Sequence, residues 1–275
     1  MRFFRSRGRD DAGQSESPLS QAAALLQAGR YAEAEAEARA VAAARSRPRD
    51  DIYAPLALSL AALATGAQGR HEDALVTYDA LLPVFGRVFG AEHPQTLKLR
   101  SDRAQALTAL ARHAECEAEC AAVLRAAQRG TGPETARLTA AARNGLIFAL
   151  NGQGRHPEAE TLARDTLAVH RASDRFGLVL RLGLARSLNG QSRHEEALAE
   201  AERAHEVRHS LPVEQRRPET GAVELAVATA LLGLGRAAEA RSRAAAAYEA
   251  CLDTFGPDHS RTVEGRELLD RIGTS

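Results

Sequence analysis

A two-residue step, most often Gly-Arg, recurs along this chain at an interval of about 40 residues and constrains the possible folds more than any other feature. Six segments align on it: GRYAEAEAEARAV from Gly29, GRHEDALVTYDAL from Gly69, ARHAECEAECAAV from Ala111, GRHPEAETLARDT from Gly154, SRHEEALAEAERA from Ser192 and GRAAEARSRAAAA from Gly235. Their starts are 40, 42, 43, 38 and 43 residues apart. So regular a period is typical of a solenoid, in which each repeat is one supersecondary unit that packs on the next.

The first columns of this alignment predict a helix end, a turn and a helix start. The first column is mostly Gly, which suits the left-handed residue that ends a helix. The next column is Arg in all six segments: Arg30, Arg70, Arg112, Arg155, Arg193 and Arg236. An acid follows three residues later: Glu33, Asp73, Glu115, Glu158, Glu196 and Glu239. We expect each Arg to meet the carbonyls of the helix just finished, and each acid to favour the N-terminal dipole of the next helix.

Small residues occupy the helix face that would pack against a neighbouring helix. They stand five residues after the first column, at Ala34, Ala74, Cys116, Ala159, Ala197 and Ala240, and nine after it, at Ala38, Tyr78, Cys120, Ala163, Ala201 and Ala244. Positions i and i+4 share a helix face. The preceding helix carries Ala seven residues before the first column, except that the fourth repeat has Ile147. We therefore expect the fourth pair to be splayed or locally repacked.

The composition agrees with helices and excludes several classes of partner. Aromatic residues make up 4% of the chain, there is no Trp, and Ala dominates the apolar set, which favours helices over a sheet. Basic and acidic residues number 36 each, so neither nucleic acid nor an anionic membrane is the expected partner. Three cysteines, no signal-peptide pattern and no apolar span long enough for a membrane predict a protein of the reducing cytoplasm.

The pattern divides the chain into a basic, flexible N-terminal tail over 1–17 and a repeat domain over 18–275. Arg2, Arg5, Arg7 and Arg9 could let the tail touch acidic lipid or nucleic acid, but a simple solvated terminus is favoured. The predicted helix pairs are 18–28 with 31–45, 52–67 with 71–88, 94–110 with 113–128, 133–151 with 157–171, 174–189 with 194–209, and 218–233 with 237–254. A last helix over 259–272 is expected to cap the stack.

The columns of small residues at five and nine residues after the first column and seven before it, which we call the small-residue ladder, resemble the tetratricopeptide repeat. So does the Gly-turn-acid-Ala step. The period near 42, in place of the usual ~34, is similar to that of the kinesin light chain variety. That variety also carries a Gly-acid-His-Pro linker, matched by FGAEHPQTL from Phe89 and FGPDHSRTV from Phe255, and more loosely by GTGPETARL from Gly130. The resemblance covers about residues 18–272. It implies an all-α, right-handed solenoid of six helix-turn-helix repeats that docks peptides or protein segments.

Two groups of side chains raise the question of a metal or redox site. His113, Cys116 and Cys120 could line one side of a helix and bind zinc or sense oxidants. However, both cysteines stand in columns that Ala fills elsewhere, so buried thiols are favoured. The column of His71, His113, His156 and His194 places one imidazole per repeat, too far apart to share an ion. With no phosphate-binding loop or catalytic motif present, we expect no metal, no cofactor and no enzymatic activity.

What remains is the concave face, which the first helix of each pair is expected to line. Positions about 3, 6, 9 and 10 residues before the first column give Lys98, Ser101, Asp102, Gln105, Asn144, Phe148, Asn151, Arg186, Asn189 and Thr229. Asn amides and Arg guanidinium groups there suit a peptide backbone or a carboxylate. Asn144 is the position that best matches the resemblance, and Glu200 is assigned to the convex side.

These positions predict a non-catalytic scaffold whose groove binds a segment of another protein. The alternative is a sensor module that recognises a small molecule or peptide signal and acts on a separate effector. The two differ in geometry, because a small-ligand sensor needs an enclosed pocket with convergent polar groups, whereas a peptide scaffold needs an open groove.

Overall fold

The computed structural model describes residues 17–45, 52–170 and 173–274, and within these ranges it contains helices and no strand. The helices are α1 (Ser20–Gln27), α2 (Tyr31–Ala44), α3 (Tyr53–Ala67), α4 (His71–Val88), α5 (Pro94–Ala109), α6 (His113–Ala127), α7 (Pro133–Gly152), α8 (His156–Val169), α9 (Arg175–Gly190), α10 (His194–Ser210), α11 (Val213–Arg216), α12 (Ala222–Gly233), α13 (Ala237–Phe255) and α14 (Ser260–Gly273). The predicted tail lies outside the described residues, apart from Ser17.

The helices pack in chain order as hairpins, α1 with α2, α3 with α4, α5 with α6, α7 with α8, α9 with α10 and α12 with α13. Each hairpin packs on the next, and α14 packs on α13. The predicted all-α solenoid is therefore confirmed. The segment that follows Ser210, for which no helix is predicted before residue 218, holds the short helix α11 and a 3-10 turn, Arg217–Glu219.

Each predicted turn has the expected backbone. The first column adopts positive φ throughout: Gly29 +74°, Gly69 +85°, Ala111 +55°, Gly154 +74°, Ser192 +59° and Gly235 +75°. Glycine adopts this conformation without the steric cost that Ala or Ser incurs. The left-handed ending of the first helix in each pair is therefore confirmed, including the two positions where the sequence lacks Gly.

The turn arginine contacts a carbonyl of the preceding helix through its backbone N–H, as in the 2.9 Å bond from Arg155 to Leu150, but its cationic side chain does not do so as expected. Its guanidinium binds the acid three residues on, as in the 2.7 Å contacts of Arg112 with Glu115 and of Arg155 with Glu158. Arg155 also reaches back 2.8 Å to Glu117 on the preceding repeat. The planar fork of Arg fits a carboxylate better than it fits a single carbonyl, which explains the preference. Arg70, Arg155 and Arg193 thus tie adjacent hairpins together.

Two side chains larger than Ala in the small-residue ladder, Ile147 and Cys120, face glycines, as does Cys251 outside the ladder. Ile147 is fully buried, and a Cβ placed on Gly183 of the next repeat would lie 2.8 Å from its Cγ2. Cys120 likewise packs on Gly145 and Cys251 on Gly221, leaving no room for a Cβ at either glycine. The fourth pair is therefore locally repacked, the second of the two expected outcomes, with the extra volume of Ile147 taken up by a missing side chain opposite.

The histidine column has a packing role at the start of the second helix. His113, His156 and His194 each cover a glycine of the following repeat: Gly152, Gly190 and Gly233, respectively. Among the described residues, no group of three or more side chains is placed to hold a metal ion. Each imidazole instead fills the space left by a glycine, which fixes the register between neighbouring hairpins.

The two best-matching linkers form the same local structure. In the first, the rings of Phe89 and His93 stack with centroids 5.3 Å apart, and His93 accepts a hydrogen bond from the backbone at the start of α5. In the second, Phe255 and His259 stack at 4.3 Å, and His259 caps α14 in the same way. Helix α14 therefore begins as the first helix of a repeat does, and it covers the end of the stack.

Candidate binding chamber on the concave face

The two ends of the described stack meet. Arg217 Nη1 donates a hydrogen bond of 2.9 Å to the carbonyl of Ala28 at the end of α1. The guanidinium lies directly over Gly29, where a Cβ would sit 2.5 Å from Arg217 Cζ. Because residues 28 and 217 belong to the first hairpin and to the segment before the last one, this side-chain contact bridges the two ends of the concave face and partly encloses it.

A set of arginines holds the closing segment in place. Glu219 is buried and accepts hydrogen bonds from Arg175 at 2.7 and 3.1 Å. Arg261, at the start of α14, donates to the carbonyls of Pro218 and Thr220 at 2.8 and 3.0 Å. The segment between α10 and α12 is thus fastened to both α9 and α14, and it forms one wall of the space on the concave face.

The space on the concave face is a half-open cavity of about 690 Å³, which we call the chamber. This volume falls within the range of about 300–1,000 Å³ typical of ligand pockets. Five aromatic residues line it: Tyr31, Tyr78, Phe148, Phe176 and Phe255. The whole chain has only seven Phe and four Tyr, so nearly half of its aromatic residues border this one cavity. Aromatic side chains supply large apolar contact areas at binding sites.

Two buried polar atoms at the chamber have no hydrogen-bond partner within the described part of the chain: Asn144 Oδ1 and His71 Nε2. Buried polar groups in folded proteins are nearly always paired, so such atoms call for an explanation. Burial lowers the pKa of His71, so its imidazole is neutral near pH 7 and carries one donor and one acceptor nitrogen. The chamber thus offers an amide oxygen and an imidazole nitrogen to an occupant.

Burial governs the other titratable groups of the chamber wall. Asp102 is buried, and burial raises its pKa although Lys98 lies 2.5 Å away and opposes the shift. Burial also raises the pKa of Tyr78, with Asp102 adding to the effect. His259 has its pKa lowered to about 4, first by burial and then by the charge of Arg261. Burial therefore disfavours the charged form of each of these three side chains.

Half of the predicted groove residues border the chamber: Ser101, Asp102, Gln105, Asn144 and Phe148. Asp102 is buried there and not exposed, because Lys98 on the same helix neutralises it at the wall. Lys98 itself lies outside the chamber lining, with an exposed side chain. The structure thus brings together the polar positions of the third and fourth repeats, which lie on neighbouring first helices.

The predicted positions toward the C-terminus serve as structural contacts. Asn151 is buried, so its predicted exposure is wrong: its amide donates 3.0 Å to Gly183 O, and its Oδ1 lies 3.0 Å from His156 Nδ1. Asn189 makes the equivalent contact with the next histidine, at 3.1 Å. Thr229 bonds the backbone of its own helix at 2.8 Å. Asn151 and Asn189 each stand three residues before the first column, and from there the side chain reaches the histidine at the start of the second helix of the same hairpin.

Arg186 and Glu200 each form an ion pair with a neighbouring helix. Arg186 is exposed, and its guanidinium lies 2.7 Å from Glu264 on α14, so it joins the fifth hairpin to the capping helix. Glu200 does not face outward: it is 6% exposed and lies 2.8 Å from Arg181 on the paired helix. Its assignment to the convex surface is therefore wrong, because the ion pair draws the carboxylate into the groove between α9 and α10.

Sequence reasoning missed the part of the wall that comes from the far end of the chain. Phe255, His259 and Arg261 belong to the linker FGPDHSRTV, which was noted as a repeat signature and not as a site. Arg175 and Glu219 belong to no motif or alignment column that would mark them in the sequence. The spacing of the repeats gives the contacts between neighbours, whereas these residues reach the chamber only because the stack curves back on itself.

The cysteines are buried, as expected. Cys116 and Cys120 place their sulfurs 3.9 Å apart, and Cys116 lies 3.1 Å from Thr108 Oγ1. The contact with Cys116, together with burial, raises the pKa of Cys120. A thiol that resists ionisation is a poor nucleophile and a poor metal ligand. The same contact lowers the pKa of Cys116, so the resistance to ionisation belongs to Cys120, while both side chains lie buried between hairpins.

Comparison with known proteins supports the resemblance drawn from the repeats. The family model for the tetratricopeptide repeat matches residues 139–173, the hairpin of α7 and α8. Among solved structures, a Podosopora anserina protein described as a kinesin light chain with nearly identical TPR-like repeats has a TM-score of 0.57 at 20% identity, over 70% of this chain and 94% of that one. The resemblance to tetratricopeptide repeats, including those of the kinesin light chain type, is confirmed.

Two other solved structures share the fold over more of the chain. Bacillus thuringiensis PlcR in complex with the peptide PapR7 and DNA is similar, with a TM-score of 0.59 at 17% identity over 87% of this chain and 84% of that one. A Rap protein complexed with Competence and Sporulation Factor has a TM-score of 0.63 at 12% identity over 92% and 73%. A search of curated proteins gave no match. These likenesses establish a tetratricopeptide-type solenoid fold.

No helix in the described ranges has both the length and the apolar composition that crossing a bilayer requires.

Proposed function

We propose that this protein is a non-catalytic interaction module of the cytoplasm that binds a short segment of another protein in the chamber. The observation that carries the proposal is the chamber itself: a half-open concave space, rich in aromatic residues, at which Asn144 Oδ1 and His71 Nε2 lack partners within the described part of the chain. An extended peptide backbone supplies both donors and acceptors, so it can satisfy such atoms. Apolar side chains of the segment would contact the aromatic wall.

The solved relatives support this reading at the level of fold. PlcR was solved with the peptide PapR7 and DNA, and a Rap protein with Competence and Sporulation Factor. Both complexes are built on solenoids similar to this one, so the architecture is compatible with ligand recognition. For this chain the equal numbers of acidic and basic residues argue for a protein segment and against nucleic acid as the partner.

The second candidate is a sensor that responds to a peptide or small-molecule signal and acts on a separate effector. The contact between Arg217 and Ala28 favours it, since an occupant of the chamber can change the closure of the stack. Small-angle scattering with and without the bound segment distinguishes the two functions. A scaffold keeps its radius of gyration, whereas a sensor changes it on binding.

The experiment that tests the proposal is a pair of matched substitutions. Asn144→Ala removes the unpartnered amide at the chamber, and binding of a partner recovered from native lysate is expected to weaken by about 1–3 kcal/mol. Asn189→Ala makes the same change on the equivalent helix of the next repeat, where the side chain is occupied by His194 and does not line the chamber. Titration calorimetry that finds the two variants equally impaired, or equally unimpaired, would contradict the proposal.

A further inference from the structure

The charged side chains of the chamber wall compensate one another. Among the described lining residues, two are acidic, Asp102 and Glu219, and two are basic, Arg175 and Arg261. Glu219 binds Arg175 at 2.7 Å, and Asp102 binds Lys98, which stands just outside the lining, at 2.5 Å. Arg261 is held by two backbone carbonyls and lies 3.6 Å from Glu219. Each charge is therefore already engaged by the protein.

The imidazoles do not alter this balance at neutral pH. Burial lowers the pKa of both His71 and His259. Both rings are neutral near pH 7, so the described lining carries formal charge only on its two acids and two arginines, and Lys98 adds one positive charge just outside it. The remaining polar atoms of the lining belong to neutral groups such as the amide of Asn144 and the amide of Gln105.

A wall of this kind selects against charge in its occupant. A charged group moved from water into this half-open space loses part of its hydration, and the charged side chains of the wall are already engaged, so the lost hydration is not fully compensated. Apolar side chains lose water favourably against Phe148, Phe176 and Phe255. Exclusion of the wrong ligand by uncompensated desolvation contributes to specificity as much as attraction of the right one.

We infer that the chamber receives an uncharged linear peptide segment whose side chains are aliphatic or aromatic, and that it rejects segments with Asp, Glu, Lys or Arg at the enclosed positions. This inference rests on the proposed function and specifies the chemistry of its ligand. The backbone of the segment uses Asn144 Oδ1 as an acceptor, and its side chains fill the space between the phenylalanines.

Affinity selection from a defined peptide library tests the inference. The probe is an equimolar library of hexapeptides with acetylated and amidated ends, incubated with the full chain, and retained peptides are sequenced by mass spectrometry. Leu, Ile, Val, Met and Phe are expected to be enriched, and each charged residue depleted by about tenfold. Ala141→Trp fills the chamber from an exposed lining position, and Ala80→Trp makes the same change on α4, outside the lining.

A second variant tests whether the charge balance of the chamber wall determines the preference for uncharged peptides. Gln105→Glu adds one acid at the chamber, so peptides with a single Lys or Arg are expected to rise by about tenfold in the retained pool. Gln215→Glu adds the same charge on exposed α11, outside the lining, and is expected to leave the pool unchanged. Circular dichroism establishes that each variant is folded.

The possible outcomes separate the inference from the proposal beneath it. If the unmodified chain retains charged peptides as well as apolar ones, relative to Ala141→Trp, the chamber binds segments but the inferred chemistry is wrong. A retained pool on Gln105→Glu that matches the original pool also overturns the inference. If the unmodified chain retains no peptide beyond the Ala141→Trp background, the proposed function itself fails.

Discussion

The contact between Ile147 and Gly183 allows a prediction about how this solenoid tolerates a large residue in its small-residue ladder. Ile147 is fully buried, and its Cγ2 occupies the space that a Cβ on Gly183 would need. Ile147→Ala restores the residue type that the other repeats carry but leaves a void beside Gly183. Gly183→Ala fills the same space while Ile147 is still present. The two substitutions should therefore compensate each other.

The expected magnitudes follow from the atoms involved. Ile147→Ala removes three buried carbons at about 0.8 kcal/mol each and adds a cavity term, so unfolding should become easier by about 3–4 kcal/mol. Gly183→Ala brings strain of about 1–3 kcal/mol, partly offset by the better helix propensity of Ala. In the double variant the strain disappears and the new methyl fills part of the void. We expect a total cost of about 2 kcal/mol, with a favourable coupling of about 2 kcal/mol.

Urea unfolding followed by circular dichroism measures the three variants and the unmodified chain as a double-mutant cycle. Comparable slopes of free energy against urea are required, because repeat arrays can unfold in parts. If the two costs add to within about 0.5 kcal/mol, the residues do not interact and the repacking argument is refuted. A double variant less stable than Ile147→Ala alone would refute it equally.

Three further outcomes follow from the structure. Asn151→Ala should lower stability by about 1–3 kcal/mol in urea unfolding, since it loses two hydrogen bonds of 3.0 Å, yet leave partner affinity unchanged in calorimetry. The double change Cys116→Ala and Cys120→Ala should leave zinc content, measured by atomic absorption, unchanged and lower stability by about 1–2 kcal/mol, because only two buried sulfurs are lost. The stability from neutral His259, whose pKa falls from 6.5 to about 4, should be present above pH 6.5 and be lost as the pH drops toward 4. His259→Asn should flatten that dependence by up to about 2 kcal/mol after allowance for solvent screening, and equal pH profiles would contradict it.

Much of the fold could be read from the sequence because its determinants are local. The left-handed residue at each turn, the acid three residues after the turn arginine and the small residues at i and i+4 act within one hairpin or between adjacent ones. The helix bounds therefore agreed to within a few residues, and the helix pairs formed where the Gly-Arg step predicted them. The role of the turn arginine was misjudged, since its partner choice depends on side-chain geometry that spacing does not record.

Sequence reasoning identified only part of the candidate site. Gln105 and Asn144 were found because they stand on the inner face of neighbouring first helices. Asn151 stands on α7 as well, yet it is turned to the next histidine and the next repeat. About two helix turns separate Asn144 from Asn151, and the residue type, Asn at both positions, does not distinguish the two environments.

The sequence by itself determined that this chain is a stack of helical hairpins, because each hairpin is specified by residues close together in the chain and buries its face on its neighbour. Only the tertiary structure decided that the stack closes. The bond between Arg217 and Ala28 joins residues 189 positions apart, and it forms because small rotations between successive hairpins accumulate until the ends meet. That accumulated curvature converts a groove into a chamber, and no single repeat contains the information for it.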